Sequence, residues 1–285
     1  MAAAEAIHLA AFDLDGTLLN SQLVIAPGNL ALLRAVADRG IHLALASGRT
    51  RMSIKPHIEA IGRPAAAIAC NGARICFPGA DGEALGEVCA ERSLPHEVLS
   101  ELIEFCRANE LMHNLYVGDD IVGPIESEQG PMRYYRDLYA QRTGVQHRLA
   151  DTREWADADS AKFLIVCAPD QRDRLYVRMR AQFGSRTDMV KTNPEYLEFL
   201  TPGVHKGWGL QALCAGLGVD LAATLALGDG DNDVQLLQAA GYGVCMANGS
   251  KACRAAANYI TPEGHDGAGI QQGLAWAGLT AQPAR

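Results

Sequence analysis

No segment of this 285-residue chain is long and apolar enough to span a membrane. The opening residues, MAAAEAIHLAAF, lack the basic start and cleavage pattern of a secretory signal. They read instead as the lead into a strand, and the expected compartment is the cytoplasm. Basic charge is scarce: 25 Lys and Arg stand against 33 Asp and Glu, for a net charge of −8. That balance argues against a broad nucleic-acid face and leaves room only for a local positive pocket. The eight cysteines form no C-x-x-C pair, so a zinc knuckle is not expected. Several lie in apolar runs, such as Cys167 in FLIVCAP, where a reduced thiol packs as a small apolar group. There is no fixed-period repeat, and no low-complexity tract beyond short alanine runs.

Several familiar motifs are also absent. No G-x-x-x-x-G-K-[ST] occurs, so a P-loop is excluded. His96-Glu97 begins an H-E-x-x-H, but Ser100 stands where the second histidine belongs. ASGRT is not a nucleophile elbow, because Leu45 occupies the place of the first glycine. Gly228 and Gly230 supply a G-x-G, but Asp233 replaces the third glycine of a dinucleotide fingerprint. The same loop fails as an EF-hand, with Val234 at the glycine position and Ala240 at the glutamate position.

What remains is a well-patterned α/β chain. Its composition, 48% hydrophobic and 20% charged, suits a sizeable core in one large or two modest domains. In the first third, IHLAAFD and IHLALASG read as buried strands, PGNLALLRAVADRG and IKPHIEAIG as helices, and AAAIACNGARICF as strand, turn, strand. The last third alternates in the same way. VHKGWGLQALCAGLG reads as a helix and TLALGDGDND as a strand ending in an acidic loop, followed by helix, strand and helix. Continuous rather than alternating apolar strands predict a Rossmann-like parallel sheet with helices on both faces. The middle is more polar and holds most of the tyrosines and arginines, RYYRDLYAQR most densely. It reads as an inserted α/β unit over residues 83–190, between core segments 1–82 and 191–285.

Two acidic clusters close apolar strands. Asp13 and Asp15, in FDLDGT, repel one another unless a cation neutralises them. Mg²⁺ suits such a pair, since it takes oxygen ligands, keeps waters and bridges to phosphate. Gly16 allows a sharp turn and a close ligand. Taken alone, the motif also suits a surface acidic turn. The second cluster, Asp229, Asp231, Asn232 and Asp233, follows another buried strand. A parallel sheet would deliver both clusters to one edge, where open α/β sheets bind ligands. Ser47, in ASGRT, reads either as a phosphate-oxygen ligand at a helix start or as that helix's cap. Lys206, in GVHKGWGL, begins a helix and reads either as a counter-charge or as an ordinary exposed lysine.

In this order, FDLDGT, ASGR, HKG and GDGDND resemble the four motifs of the haloacid dehalogenase-like (HAD) hydrolases. The large insertion and CNGA at residues 70–73 are similar to the Cof-like branch with a C2-type cap. The resemblance implies a Mg²⁺-dependent phosphatase acting on a small phosphorylated metabolite, such as a sugar phosphate, with no nucleic-acid or membrane partner and an open oligomeric state. It implies Asp13 as the nucleophile that forms an aspartyl-phosphate. Asp15 would be the general acid and base, binding Mg²⁺ through its backbone carbonyl. Asp229 would be a further metal ligand, with Asp233 beside it, directly or through water. Ser47 and Lys206 would hold phosphoryl oxygens, assisted by Asn232, with Gly16, Gly48 and Asn71 near the substrate. The inserted unit would act as a lid. A phosphomutase and a non-catalytic metabolite-binding regulator are the alternatives.

Overall fold

The computed structural model describes residues 6–80 and 82–281. Residues 1–5, which begin the stretch read as the lead into a strand, lie outside the described residues. The chain divides into two units: Met1–Ala90 with His205–Arg285, and Glu91–Val204 between them.

The first unit opens with β1 (Leu9–Asp13), α1 (Pro27–Ala37), β2 (His42–Ala46), α2 (Arg51–Ile61), β3 (Ala66–Ala69), β4 (Arg74–Pro78) and β5 (Leu85–Glu91). The second holds α3 (His96–Ala108), β6 (Met112–Val117), β7 (Asp120–Pro124), α4 (Gly130–Thr143), β8 (Arg148–Ala150), β9 (Ser160–Val166), α5 (Pro169–Phe183), β10 (Asp188–Val190) and β11 (Tyr196–Leu200). The chain then returns through α6 (Lys206–Leu217), β12 (Thr224–Gly228), α7 (Val234–Ala239), β13 (Tyr242–Cys245), α8 (Lys251–Ala256), β14 (Tyr259–Ile260) and α9 (Gly269–Trp276).

Both boundaries of the insertion fall later in the chain than 83 and 190. β5 extends the first unit's sheet to its edge. β11 is an apolar YLEFL run that either sheet would accept, and it pairs antiparallel with β9 of the second unit. Pairing partners, not composition, set these limits.

The first unit is built on an eight-stranded sheet of order β14-β13-β12-β1-β2-β3-β4-β5. The run from β14 to β3 is parallel, and β4 turns back antiparallel to β3. Leu9 and Ala11 of β1 join a cluster with Leu210 and Leu213 of α6 and Leu236 and Leu237 of α7. The intervening Ala10 and Phe12 are equally buried, so both faces are covered, as the unbroken apolar strands require. The β3–β4 turn runs through Cys70, Asn71 and Gly72 with φ of 51°, 55° and 100°. Gly72 has a second constraint: a Cβ there would stand 2.3 Å from the His205 carbonyl oxygen. This close approach seats the start of α6, and with it Lys206, against the sheet.

The second unit has a six-stranded sheet of order β10-β11-β9-β6-β7-β8. One face packs Phe163, Ile165, Leu197 and Phe199 against Leu99, Leu102 and Ile103 of α3 and Met179 and Phe183 of α5. On the other face, Lys162 and Glu198 are charged yet buried, beside Leu164, Val166 and Leu200. Lys162 pairs with Glu198 at 2.7 Å, its ammonium 4.4 Å from the centre of the Tyr116 ring. Tyr116 in turn shares a 2.9 Å hydrogen bond with Tyr139 of α4. In RYYRDLYAQR, therefore, Tyr139 is interior while Tyr134 is exposed. All eight cysteines are free thiols. Among the described residues, no helix is long and apolar enough to cross a membrane.

His113 of β6 should make the second unit acid-sensitive. It is buried, with Nδ1 2.9 Å from the Leu111 carbonyl and Nε2 3.1 Å from the Thr152 hydroxyl. The carbonyl only accepts, so Nδ1 carries the proton and Nε2 accepts from Thr152. Burial lowers its pKa from 6.5 to about 4. The unfolded chain therefore takes up this proton first as pH falls, so the stability contributed above the unfolded pKa is lost progressively towards the folded one. About 2 kcal/mol should be gone by about pH 5. Urea unfolding near neutral pH and near pH 5 should show that drop, and His113→Asn should shrink it; an equal drop in the variant assigns the acid sensitivity elsewhere.

Candidate active site

β1 and β12 lie side by side and parallel, with Phe12 opposite Leu227. The chain continues from β1 to β2 and β3 on one side, and from β12 to β13 and β14 on the other. The carboxyl ends of β1 and β12 thus flank the switch point of the sheet, where such folds open a crevice. Asp13 ends β1, and Asp229 immediately follows β12. The turn after β1 brings them closer: Gly16 has φ +84°, and a Cβ there would lie 2.4 Å from Asp229 Oδ2. Only glycine fits both the conformation and the space.

Lys206 opens α6, which His205 caps by accepting the Trp208 N–H at Nδ1, 3.0 Å away. The ammonium is fully buried and donates to Asp13 Oδ1 at 2.5 Å and Asp233 Oδ1 at 2.6 Å. The exposed-lysine alternative is thereby removed. Asp233 Oδ2 accepts the backbone N–H groups of Asp229 and Gly230, at 3.0 and 2.9 Å. Both Asp233 oxygens are therefore engaged inside the protein. Asp229 accepts from Thr17 Oγ1 at 3.0 Å and from Asn248 Nδ2 at 3.2 Å, one donor on each oxygen.

One carboxylate oxygen from each of Asp13, Asp229 and Asp233 lies within 4.8 Å of the others, a group able to hold a metal ion. Burial, then Asp233, pushes the Asp13 carboxyl well above its usual range, and Lys206 offsets only part of this. Burial and Asp233 likewise raise Asp229 to about 6. Burial lowers the Lys206 pKa, but Asp13 and Asp233 outweigh it and raise it. Three carboxylates facing one ammonium leave two surplus negative charges when all are ionised. A divalent cation with a preference for oxygen fits that surplus and that donor set.

The other residues divide. The Asp15 carboxylate is not in the acidic group; Arg49 grips it through Nε at 2.8 Å and Nη2 at 2.5 Å. Ser47 is buried in the loop after β2, and its hydroxyl accepts the Arg49 N–H at 3.2 Å. It neither starts nor caps α2: Thr50 takes that place, accepting the Ser53 N–H. A Cβ on Gly48 would lie 3.2 Å from Asn71 Nδ2, and Asn71 Oδ1 accepts from Asn232 Nδ2 at 3.0 Å. Asn232 and Asn71 thus join the loops after β12 and β3, and the Asn71 N–H joins the loop after β2 by donating to the Ser47 carbonyl at 2.9 Å. Sequence reasoning gives no role to Thr17, Arg49 or Asn248. The first two sit inside quoted motifs, while Asn248 carries no signal in the chain around it.

The model of the haloacid dehalogenase-like hydrolases matches residues 10–274. The chain belongs to the haloacid dehalogenase-like hydrolase family. Its placement in the Cof-like branch agrees with the inserted unit and with the relatives. HMP-PP phosphatases of Cronobacter sakazakii and Yersinia pestis are 29% and 30% identical to this hydrolase over 258 and 246 residues. These spans cover 90% and 85% of it, and 90% and 84% of the relatives. A solved haloacid dehalogenase-like hydrolase from Bacteroides thetaiotaomicron is 29% identical, with a TM-score of 0.79 over 95% of this chain and 98% of its own. This HAD-like hydrolase is a phosphatase of the phosphoric monoester class.

Proposed function

We propose that the protein hydrolyses a small phosphomonoester with Mg²⁺, through a phosphoryl group carried on Asp13. The observation that carries this reading is the buried Asp13 carboxylate at the switch point, 2.5 Å from Lys206 and grouped with Asp229 and Asp233. Asp13, Asp229 and the Asp15 backbone carbonyl would hold the cation. Asp233, with both oxygens engaged, would act by orienting Lys206 and the loop that carries Asp229. When bound, Mg²⁺ supplies positive charge that offsets the repulsion between carboxylate and phosphate.

An Asp13 oxygen attacks phosphorus in line, and the bond from phosphorus to the ester oxygen breaks. Asp15 donates its proton to that leaving oxygen, then takes one from a water that attacks the same phosphorus. This second displacement releases phosphate and restores Asp13. Lys206 and the polar loops bearing Ser47, Gly48, Asn71 and Asn232 would hold the phosphoryl oxygens as charge develops. A net charge of −8 argues against nucleic acid as the substrate and leaves a local positive group, Lys206, to meet a small phosphorylated metabolite.

The test is phosphate release from a panel containing sugar phosphates, nucleotides and HMP-PP, the compound in the relatives' name. Release is expected with Mg²⁺ and is expected to stop with EDTA. Tight binding without release would favour a regulator, and isomerised sugar phosphate without free phosphate a mutase; either result would overturn the hydrolytic reading.

A further inference from the structure

Asp229 is oriented by two uncharged donors, and one of them, Asn248, lies outside every motif. Its Nδ2 donates to Asp229 Oδ2 at 3.2 Å and to the Gly16 carbonyl at 2.8 Å. Its Oδ1 accepts the His265 N–H at 3.1 Å. Both amide hydrogens and the amide oxygen are therefore used, and a flipped amide would set its oxygen against two acceptors. The seat is shaped for this group: a Cβ on Gly264 would stand 2.6 Å from Asn248 Oδ1. The same C-terminal loop is fastened to the segment after β1 a second time. Asp266 accepts from the Ser21 N–H at 2.7 Å and the Ser21 hydroxyl at 2.5 Å.

We infer that Asn248 is a positioning residue for the metal site, tying the turn after β1 to Asp229 so that both keep the spacing a divalent cation needs. This deepens the proposed function and rests on its metal-dependent reading. The physical reason lies in the kind of donor. Asp13 and Asp233 accept from an ammonium, whose charge competes with a cation for the same oxygens. Thr17 and Asn248 fix Asp229 with neutral dipoles, which orient a carboxylate without cancelling its charge. Asn248 reaches the Gly16 turn across 232 residues and Asp229 across 19, so the distance between the acidic loops is held by a side chain rather than left to loop flexibility. Being itself exposed, Asn248 can be replaced without opening a cavity in the core.

The experiment measures metal binding without turnover. Mn²⁺ binding is followed by electron paramagnetic resonance, with Mg²⁺ as competitor, for the wild type, Asn248→Ala and Asn248→Gln. Outer-shell partners of metal ligands affect affinity by about 10- to 100-fold, and Asn248→Ala should weaken both ions by that factor. In turnover, half-saturating Mg²⁺ should rise by a similar factor, with a much smaller change in kcat at saturating metal. Asn248→Gln keeps the amide on a longer stem and should recover part of the lost affinity; it also serves as the folded variant should the alanine protein not fold. Unchanged ion affinity with a lowered melting temperature in Asn248→Ala, or in Asn248→Gln where the alanine protein does not fold, would make Asn248 a loop tie only and overturn the inference. No Mn²⁺ binding by the unmutated protein would instead overturn the metal-dependent reading beneath it.

Discussion

Asp13→Asn should reduce phosphate release by at least about 10,000-fold, the scale on which covalent nucleophiles fail when removed. The same substitution should stabilise the protein in metal-free buffer. Burial and Asp233 raise the Asp13 pKa, so the folded state holds this proton more tightly than the unfolded chain does. Stability from this group is present below the unfolded pKa and is lost as pH rises through the folded one. Near neutral pH the ionised group therefore opposes folding, and a neutral amide of the same shape removes that opposition while Asp233 still accepts from Lys206. Mg²⁺ should raise the wild-type melting temperature for the same reason and raise that of the variant less. Urea unfolding with EDTA and with Mg²⁺, beside a phosphate-release assay, checks all three. A variant of wild-type activity would remove Asp13 from the nucleophile's place.

Lys206→Met should be the most destabilising change near the site. The ammonium is fully buried between Asp13 and Asp233. Methionine fills a similar volume but leaves two buried carboxylates facing one another with no cation between them. Removing one partner of a buried ion pair costs about 3–5 kcal/mol. The loss should be largest above neutral pH and shrink in mild acid, because without Lys206 the Asp13 carboxyl moves further upward and accepts a proton more readily. Activity should fall as well, since the charge that would hold the phosphoryl group is gone. Unfolding measured near pH 8 and near pH 5.5, with activity at the higher value, tests this. A loss under about 1 kcal/mol at both would mean that the acidic group needs no internal cation.

Asp13 and Lys206 differ in how far the chain alone reveals them. FDLDGT and GDGDND each follow an unbroken apolar run, and such a run in an α/β chain is a strand buried on both faces. Strand direction then places Asp13 and Asp229 at one edge of the sheet. That much is local chemistry, readable because side-chain periodicity and chain direction act over a few residues. The glycine after Asp15 is readable on the same grounds, since the turn demands it.

Contacts between distant residues were not readable. Lys206 meets Asp13 across 193 residues; the side-chain pattern of GVHKGWGL does not distinguish a fully buried ammonium from an exposed one, and only the resemblance of HKG to a family motif pointed to the site. The Arg49 grip on Asp15 and the Asn248 bridge from Gly16 to Asp229 are of the same kind. Each depends on how loops from separate strands meet. The limits of the inserted unit also depended on pairing, because YLEFL suits any sheet and only the edge offered by β9 decided its place. The sequence alone determined which residues end each strand, because burial and chain direction are written into successive side chains. Tertiary structure decided which of those ends touch and how the charges are shared, because hydrogen bonds and ion pairs form between whatever groups packing brings within about 3 Å.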